Sequence, residues 1–255
     1  MNRRLALVGC VLLAISIAGW RWPWQKKPAF RAYIVHHAEG AFKKLNKAFE
    51  RESGIRVDAA YACRRNMYQV VSKNRDGDIY ITSAPANLEK AKKDKLGSGP
   101  IVPVGELLPV IEVMKGNPRG IACLADLAKP GVRVVLGNER ACMGRVTTRI
   151  LTKTRLTDKI APNVVSRVRG EANIAKAVDG KAADATIVWL STVRDIGSRK
   201  VATIPIPPEQ NIIEPISYLL LDTGANKALA HKFALFEQSP KAKKILKQEG
   251  LLRTK

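Results

Sequence analysis

The stretch AFKKLNKAFERESGIRVDAA, residues 41–60, carries two hydrophobic periods back to back, and the change between them decides the fold. Phe42, Leu45 and Phe49 recur at helical spacing until Gly54, after which Ile55, Val57 and Ala59 alternate as one face of a strand. Ala32 to Val35, just upstream, is a short apolar strand. Downstream, Met67, Val70 and Val71 line a second helix, Asp78 to Thr82 reads as a third strand, and a charged helix follows around Leu88 to Lys95. Strands alternating with helices in this way favour a parallel sheet covered by helices.

The second half repeats the motif. Around Val104 to Gly116 the apolar sequence loosens into a Pro- and Gly-rich passage and a strand, where the chain is expected to cross to a second lobe. Val132 to Leu136 restarts the series, with helices near Arg145 to Lys153 and Ala172 to Val178 and strands at Ala185 to Leu190 and Val201 to Ile206. The rigid Pro205-Ile206-Pro207-Pro208 stretch reads as the return crossing. Strand Ile216 to Leu221 and two helices close the chain, the last with Ser239 as N-cap, Pro240 in its first turn and Gly250 at its end. The expected class is α/β: two lobes, each a mostly parallel sheet flanked by helices, joined by a hinge of two crossings. The expected division is 29–108 plus 209–255 for the first lobe and 109–208 for the second.

Composition narrows the function. The 255 residues are 46% hydrophobic and carry 44 Lys plus Arg against 22 Asp plus Glu, a formal net charge of +22. Such a field attracts anions of every size. The basic residues form short scattered clusters, aromatic residues are only 5%, and no nucleic-acid-binding signature accompanies them, so no specific nucleic-acid partner is expected. Arg3-Arg4 followed by the uncharged run Leu5 to Gly19 reads as an export signal or a short membrane anchor within residues 1–28, with Trp20, Trp22 and Trp24 suited to a membrane interface. Either fate places the rest of the chain outside the cytoplasm. Of the four cysteines, Cys63, Cys123 and Cys142 lie beyond that segment, enough for one disulfide and an odd thiol.

The order of these landmarks resembles the periplasmic molybdate/tungstate-binding protein family. Residues 41–57 are similar to its "AF…FEKETGIKV" helix and strand, Gly77 to Ala84 to its "ADVFISA" strand, and Asp184 to Trp189 to its "ADAGIVY" strand. Gly116 to Ile121, Leu124 to Val134 and Gly144-Arg145 follow in matching order and spacing. The resemblance spans roughly Ala32 to Leu252. It implies a two-lobed type II periplasmic binding fold, a small anionic ligand clasped between the lobes, an ABC-transporter permease as partner, a monomer, and no cofactor.

The positions that the family uses for its ligand depart from its pattern. The serine that begins its first helix falls at His37, beside His36, and its serine loop reads Ala62-Cys63-Arg64-Arg65-Asn66. In the second lobe its "PAG" loop becomes Cys142-Met143-Gly144, the next helix start becomes Ala172-Asn173, and its binding tyrosine becomes Trp189. Two chemistries follow from this set. In one, Arg64 or Arg65 with a protonated His37 replaces the hydroxyl donors and holds an oxyanion. In the other, His36, His37, Cys63, Cys142 and Met143 form a soft N/S site for copper, zinc or iron. Cys63 and Cys142 could also be disulfide-bonded or plain pocket walls, and Trp189 is equally a core residue. Met67 fits packing, Cys123 a small buried residue and His231 the surface. Cys63 or Cys142 with His37 is the one nucleophile–base pairing in sight, and no catalytic signature surrounds it, so the chain is not expected to be an enzyme. A membrane-tethered interaction module is a further alternative.

Overall fold

In the computed structural model, which describes residues 27–252, the helical period of residues 41–60 becomes α1 (Glu39–Ser53). Gly54, at φ 70°, closes it in the left-handed conformation that a Cβ would oppose. The alternation that follows becomes β2 (Arg56–Ala62), paired in parallel with β1 (Ala29–Val35). The series continues through α2 (Arg64–Asn74), β3 (Ile79–Thr82), α3 (Pro85–Lys93) and β4 (Val102–Leu107). A single residue, Leu108, separates β4 from β5 (Pro109–Met114), which pairs elsewhere. Then come β6 (Val134–Gly137), α4 (Cys142–Lys153), the short α5 (Thr157–Ile160), β7 (Val164–Val168), α6 (Glu171–Asp179), β8 (Ala185–Trp189), α7 (Leu190–Ile196) and β9 (Val201–Pro205). β10 (Glu214–Leu220), α8 (Lys227–Glu237) and α9 (Pro240–Gln248) finish the chain, and the Ser239 hydroxyl accepts from the Ala242 N–H at 3.1 Å as the N-cap.

The two five-stranded sheets have the orders β2-β1-β3-β10-β4 and β7-β6-β8-β5-β9. In the first, β10 runs against β3 and β4, and the other strands share one direction. In the second, β5 is the reversed strand. The lobes therefore repeat one topology, as the two similar halves of the sequence imply. A buried aspartate marks the repeat: Asp78, just before β3, accepts the Arg31 N–H at 2.7 Å, and Asp184, just before β8, accepts the Arg133 N–H at 2.9 Å. Each ties the entrance of one central strand to its neighbour.

Two elements lacked a clear hydrophobic signal. β7 is an edge strand with Val165, Ser166 and Arg167 exposed, so it shows no apolar alternation. α7 spans only two turns, too short for a helical period to emerge. The predicted surface position of His231 and core position of Met67 agree with the structure. Cys123, expected to be buried, is exposed: it precedes a short 3-10 turn on a loop, with its backbone N–H donated to Asp126. The reading of residues 1–26 as signal or anchor lies outside the described residues, among which no helix is long and apolar enough to cross a membrane.

The sheets also bury acids with no role in the cleft. Glu112, 2% exposed in the centre of β5, has its carboxyl pushed up to about 8 by burial, with Asp179 adding to the shift. Glu237 is fully buried on α8 and raised well above the usual carboxylate range for the same reason. A carboxyl whose folded pKa lies above its unfolded value contributes stability that is complete below the unfolded value, near 4.5, and is lost as pH rises through the folded one. Urea unfolding across pH 4.5–8 should show stability falling with pH. The Glu112→Gln variant should lose part of that slope and gain on the order of a few kcal/mol over the parent at pH 8. An unchanged slope would show that Glu112 is solvated in the folded chain.

Candidate functional site

In open α/β sheets the space beyond the carboxyl ends of the strands is where helix N-termini point inward. Here the two sheets aim those ends at one another. β1 delivers His36 and His37 through a 3-10 turn that leads into α1, and β2 delivers Cys63 at the start of α2. From the other lobe, the loop after β6 delivers Cys142 as the first residue of α4, and the loop after β7 delivers Glu171 as the first residue of α6. Gly144 lets α4 start tightly against that loop, because a side chain there would collide with the Asn138 carbonyl. Gly170, at φ 84°, turns the chain into α6 in a conformation open mainly to glycine.

The lobes touch through these residues. His37 Nδ1 lies 2.7 Å from Glu171 Oε1, with side-chain exposures of 2% and 11%. The indole N–H of Trp189 donates to the same oxygen at 3.2 Å, and the Ser191 hydroxyl donates to the His37 carbonyl at 3.3 Å. Gly40 of α1 comes so near Asp195 of α7 that a side chain at position 40 would strike the carboxylate. The His36 and His37 rings stack with centroids 4.3 Å apart. Both ring nitrogens of His37 are buried and neither makes a hydrogen bond of good geometry.

The electrostatics follow from this packing. Burial alone would lower the His37 pKa, but neighbouring Cys142 and Glu171 outweigh it and push the imidazole up to about 10. Glu171 is desolvated yet held below the usual carboxylate range by His37, His36 and the Trp189 N–H. The Cys142 thiol is lowered chiefly by His37, against the opposing effect of burial, with Arg64 and Cys63 assisting. Arg145 also reaches the Cys142 sulfur at 3.7 Å. His36 is lowered by burial and by the charge on His37.

Two cavities flank the His37–Glu171 contact. One, of about 250 Å³, is lined by His36, His37, Cys63, Cys142, Arg145 and Glu171 among others. The second, of about 430 Å³, shares the histidines and Glu171 but adds Glu39, Lys43 and Asp195. Met143 lines the first cavity while packing into the core, 1% exposed. Asn173 is exposed, lines the second cavity and donates to the Arg169 carbonyl at 2.9 Å. Trp189 is fully buried and borders neither cavity; it buttresses Glu171 instead of forming a ligand wall. Arg64 is engaged with Glu214 at 2.8 Å and also lies outside both linings. Arg65 sits in the first turn of α2. Cys63 and Cys142 are free thiols, half-buried, in electrostatic contact with each other across the cleft.

Sequence reasoning missed Glu171. It placed the helix start one residue late, at Ala172-Asn173, whereas an acid directly after Gly170 is itself a helix-start signal. It also missed Arg145, whose side chain turns back one helical turn onto Cys142. Chemically, a thiol beside an imidazole backed by a carboxylate can activate a nucleophile, and the same chain of contacts orients an imidazole for metal ligation.

This frame of two repeated α/β lobes with a ligand-sized cleft between them defines a solute-capture protein. The sequence model described as "Bacterial extracellular solute-binding protein" matches residues 31–252, and the chain belongs to that family. The molybdate-binding protein ModA of Mycobacterium tuberculosis is 23% identical over 232 residues, covering 91% of this chain and 87% of its own length. The substrate-binding domain of a putative molybdenum ABC transporter from Clostridium difficile superposes with TM-score 0.79 at 15% identity, covering 89% of this chain and 99% of its own. The Azotobacter vinelandii periplasmic molybdate-binding protein gives TM-score 0.70 at 18% identity, covering 89% and 100%.

Thiol reactivity tests the electrostatics. Alkylation by iodoacetamide, mapped by mass spectrometry as a function of pH, should modify Cys142 at lower pH than Cys123. In His37→Gln the Cys142 profile should move up, with the rate at neutral pH falling roughly tenfold for each unit by which the thiol rises. A profile indifferent to His37 would refute the pairing.

Proposed function

We propose that this chain is the capture subunit of a bacterial ABC importer. It works outside the cytoplasm, exported or anchored by its N-terminal segment, and its lobes, 29–108 with 209–255 and 109–208, close as a monomer on one small inorganic ligand for delivery to a membrane permease. The observation that carries this reading is the convergence of His36, His37 and Cys63 from one lobe with Cys142 and Glu171 from the other on a single cavity of about 250 Å³. A ligand bound there is shared by both lobes, so binding and closure become one event.

An oxyanion of the molybdate or tungstate kind is one cargo that suits the site. The N-termini of α2, α4 and α6 border the cavity, with Arg140 and Arg145 beside them, and free helix N–H groups stabilise an anion without a matching cation. The relatives that carry molybdate in their names support it. A soft metal ion is favoured by a separate observation: both buried ring nitrogens of His37 lack a hydrogen bond of good geometry, in a cleft that also holds two thiols. No turnover is proposed.

Thermal unfolding of the purified chain under reducing conditions, with molybdate, tungstate, sulfate, phosphate, Zn²⁺ and Cu⁺ each at about a hundredfold excess over Kd, checks the class. One member should stabilise the fold by about 2.7 kcal/mol, a rise in Tm of roughly 5–10 °C. Failure of the whole panel would remove capture of a small inorganic ligand.

A further inference from the structure

We infer that the smaller cavity is a site for a thiophilic d¹⁰ metal ion, Zn²⁺ or Cu⁺, held by His37 Nε2, Cys63 and Cys142, with His36 completing four ligands. The inference rests on the capture reading and names its cargo. The first support is the donor set: two imidazoles and two thiols border one cavity, and an S₂N₂ set is the tetrahedral combination that soft and borderline ions select over hard ones.

A second, independent support comes from what stands behind the donors. A metal-ligating histidine almost always gives its other ring nitrogen to a carboxylate, a backbone carbonyl or a water that fixes the ring. His37 has a carboxylate in that place, with Nδ1 2.7 Å from Glu171 Oε1 in a close charge contact, and Glu171 is in turn fixed by the Trp189 indole N–H at 3.2 Å. Both ring nitrogens of His37 are buried and neither makes a hydrogen bond of good geometry, with Glu171 on one side of the ring and the Cys142 thiol beside it. A nitrogen that is desolvated, oriented and unsatisfied costs free energy until something binds it. The ligand atoms of His36, His37 and Glu171 lie within 4.8 Å of one another, so the two imidazoles are already gathered, and the two thiols stand farther along the same cavity wall.

The third support is placement. Cys63 and the histidines belong to one lobe and Cys142 to the other, so an ion bound to all of them fastens the closed form. Met143 is excluded from the set because it packs into the core.

The test is equilibrium dialysis of the purified chain in anaerobic reducing buffer against Zn²⁺ and, separately, Cu⁺, followed by Co²⁺ as a spectroscopic probe of the same site. One ion per chain should be retained. Bound Co²⁺ should show thiolate-to-metal charge-transfer absorption that is lost in Cys63→Ser/Cys142→Ser and kept in Cys123→Ser. Glu171→Gln should weaken binding by about 10–100-fold with the thiolate absorption intact, the signature of an orienting partner and not a ligand. If the double-serine variant fails to fold by circular dichroism, His36→Asn and Glu171→Gln carry the test through the same affinities. Retention of neither ion overturns the inference, as does retention with no thiolate absorption. If molybdate or another oxyanion stabilises the chain while neither metal does, the cargo is wrong and the capture role stands. If nothing binds, both fall.

Discussion

The contact on which the site depends is His37 Nδ1 against Glu171 Oε1, made in the cleft between two lobes that each have their own sheet and share one continuous hydrophobic core. Both groups are desolvated, and a buried charge that loses its partner is far costlier than one that never left water. The closed arrangement is therefore tied to the pairing of these side chains. Much of the surrounding geometry serves it: the 3-10 turn after β1 sets His37, Gly170 aims Glu171, and Trp189 fills the space behind the carboxylate. Removing the interlobe side chain at Gly40 lets α1 and α7 approach closely enough for the pair to meet.

Much of the fold was legible because hydrophobic period and punctuation agree along the chain. Residues 41–60 show helix, glycine stop and strand without a conflicting signal, and Ser239-Pro240 announces the last helix by cap chemistry alone. What escaped was either too short or too exposed to carry a period, as with α7 and β7. The site was legible in part. His37, Cys63 and Cys142 were identified by where a resembling family places its ligand, and they do border one cavity. Trp189 and Arg64 were placed by the same logic, yet a side chain's direction depends on partners distant in sequence: Glu171 captures the indole and Glu214 the guanidinium. Glu171 itself was hidden because a glutamate at a helix start looks like ordinary dipole complementation until a histidine from the other lobe is set against it.

The family resemblance and the site chemistry pull in different directions, and the physical reason is visible. A hydroxyl-lined pocket binds by many weak dipoles, whereas thiols and imidazoles bind by electron-pair donation. In this chain the high net positive charge of +22 attracts anions at long range, while the smaller cavity sets thiols and imidazoles beside Arg140 and Arg145 at short range. Over distances beyond about 10 Å the surface field is screened by salt, so it governs approach and leaves selection to the cavity.

Both lobes use the same strand order, and this has a consequence for how such a protein changes over generations. The groups that line the smaller cavity hang from a few loops at the carboxyl ends of β1, β2, β6 and β7, in matching places on the two halves. None of those loops carries the strand pairing or the buried aspartates that hold the sheets together. The scaffold and the recognition surface are thus separable inheritances, and a handful of codon changes at loop positions can alter what a solute-binding protein captures while leaving the strand pairing and the buried aspartates untouched.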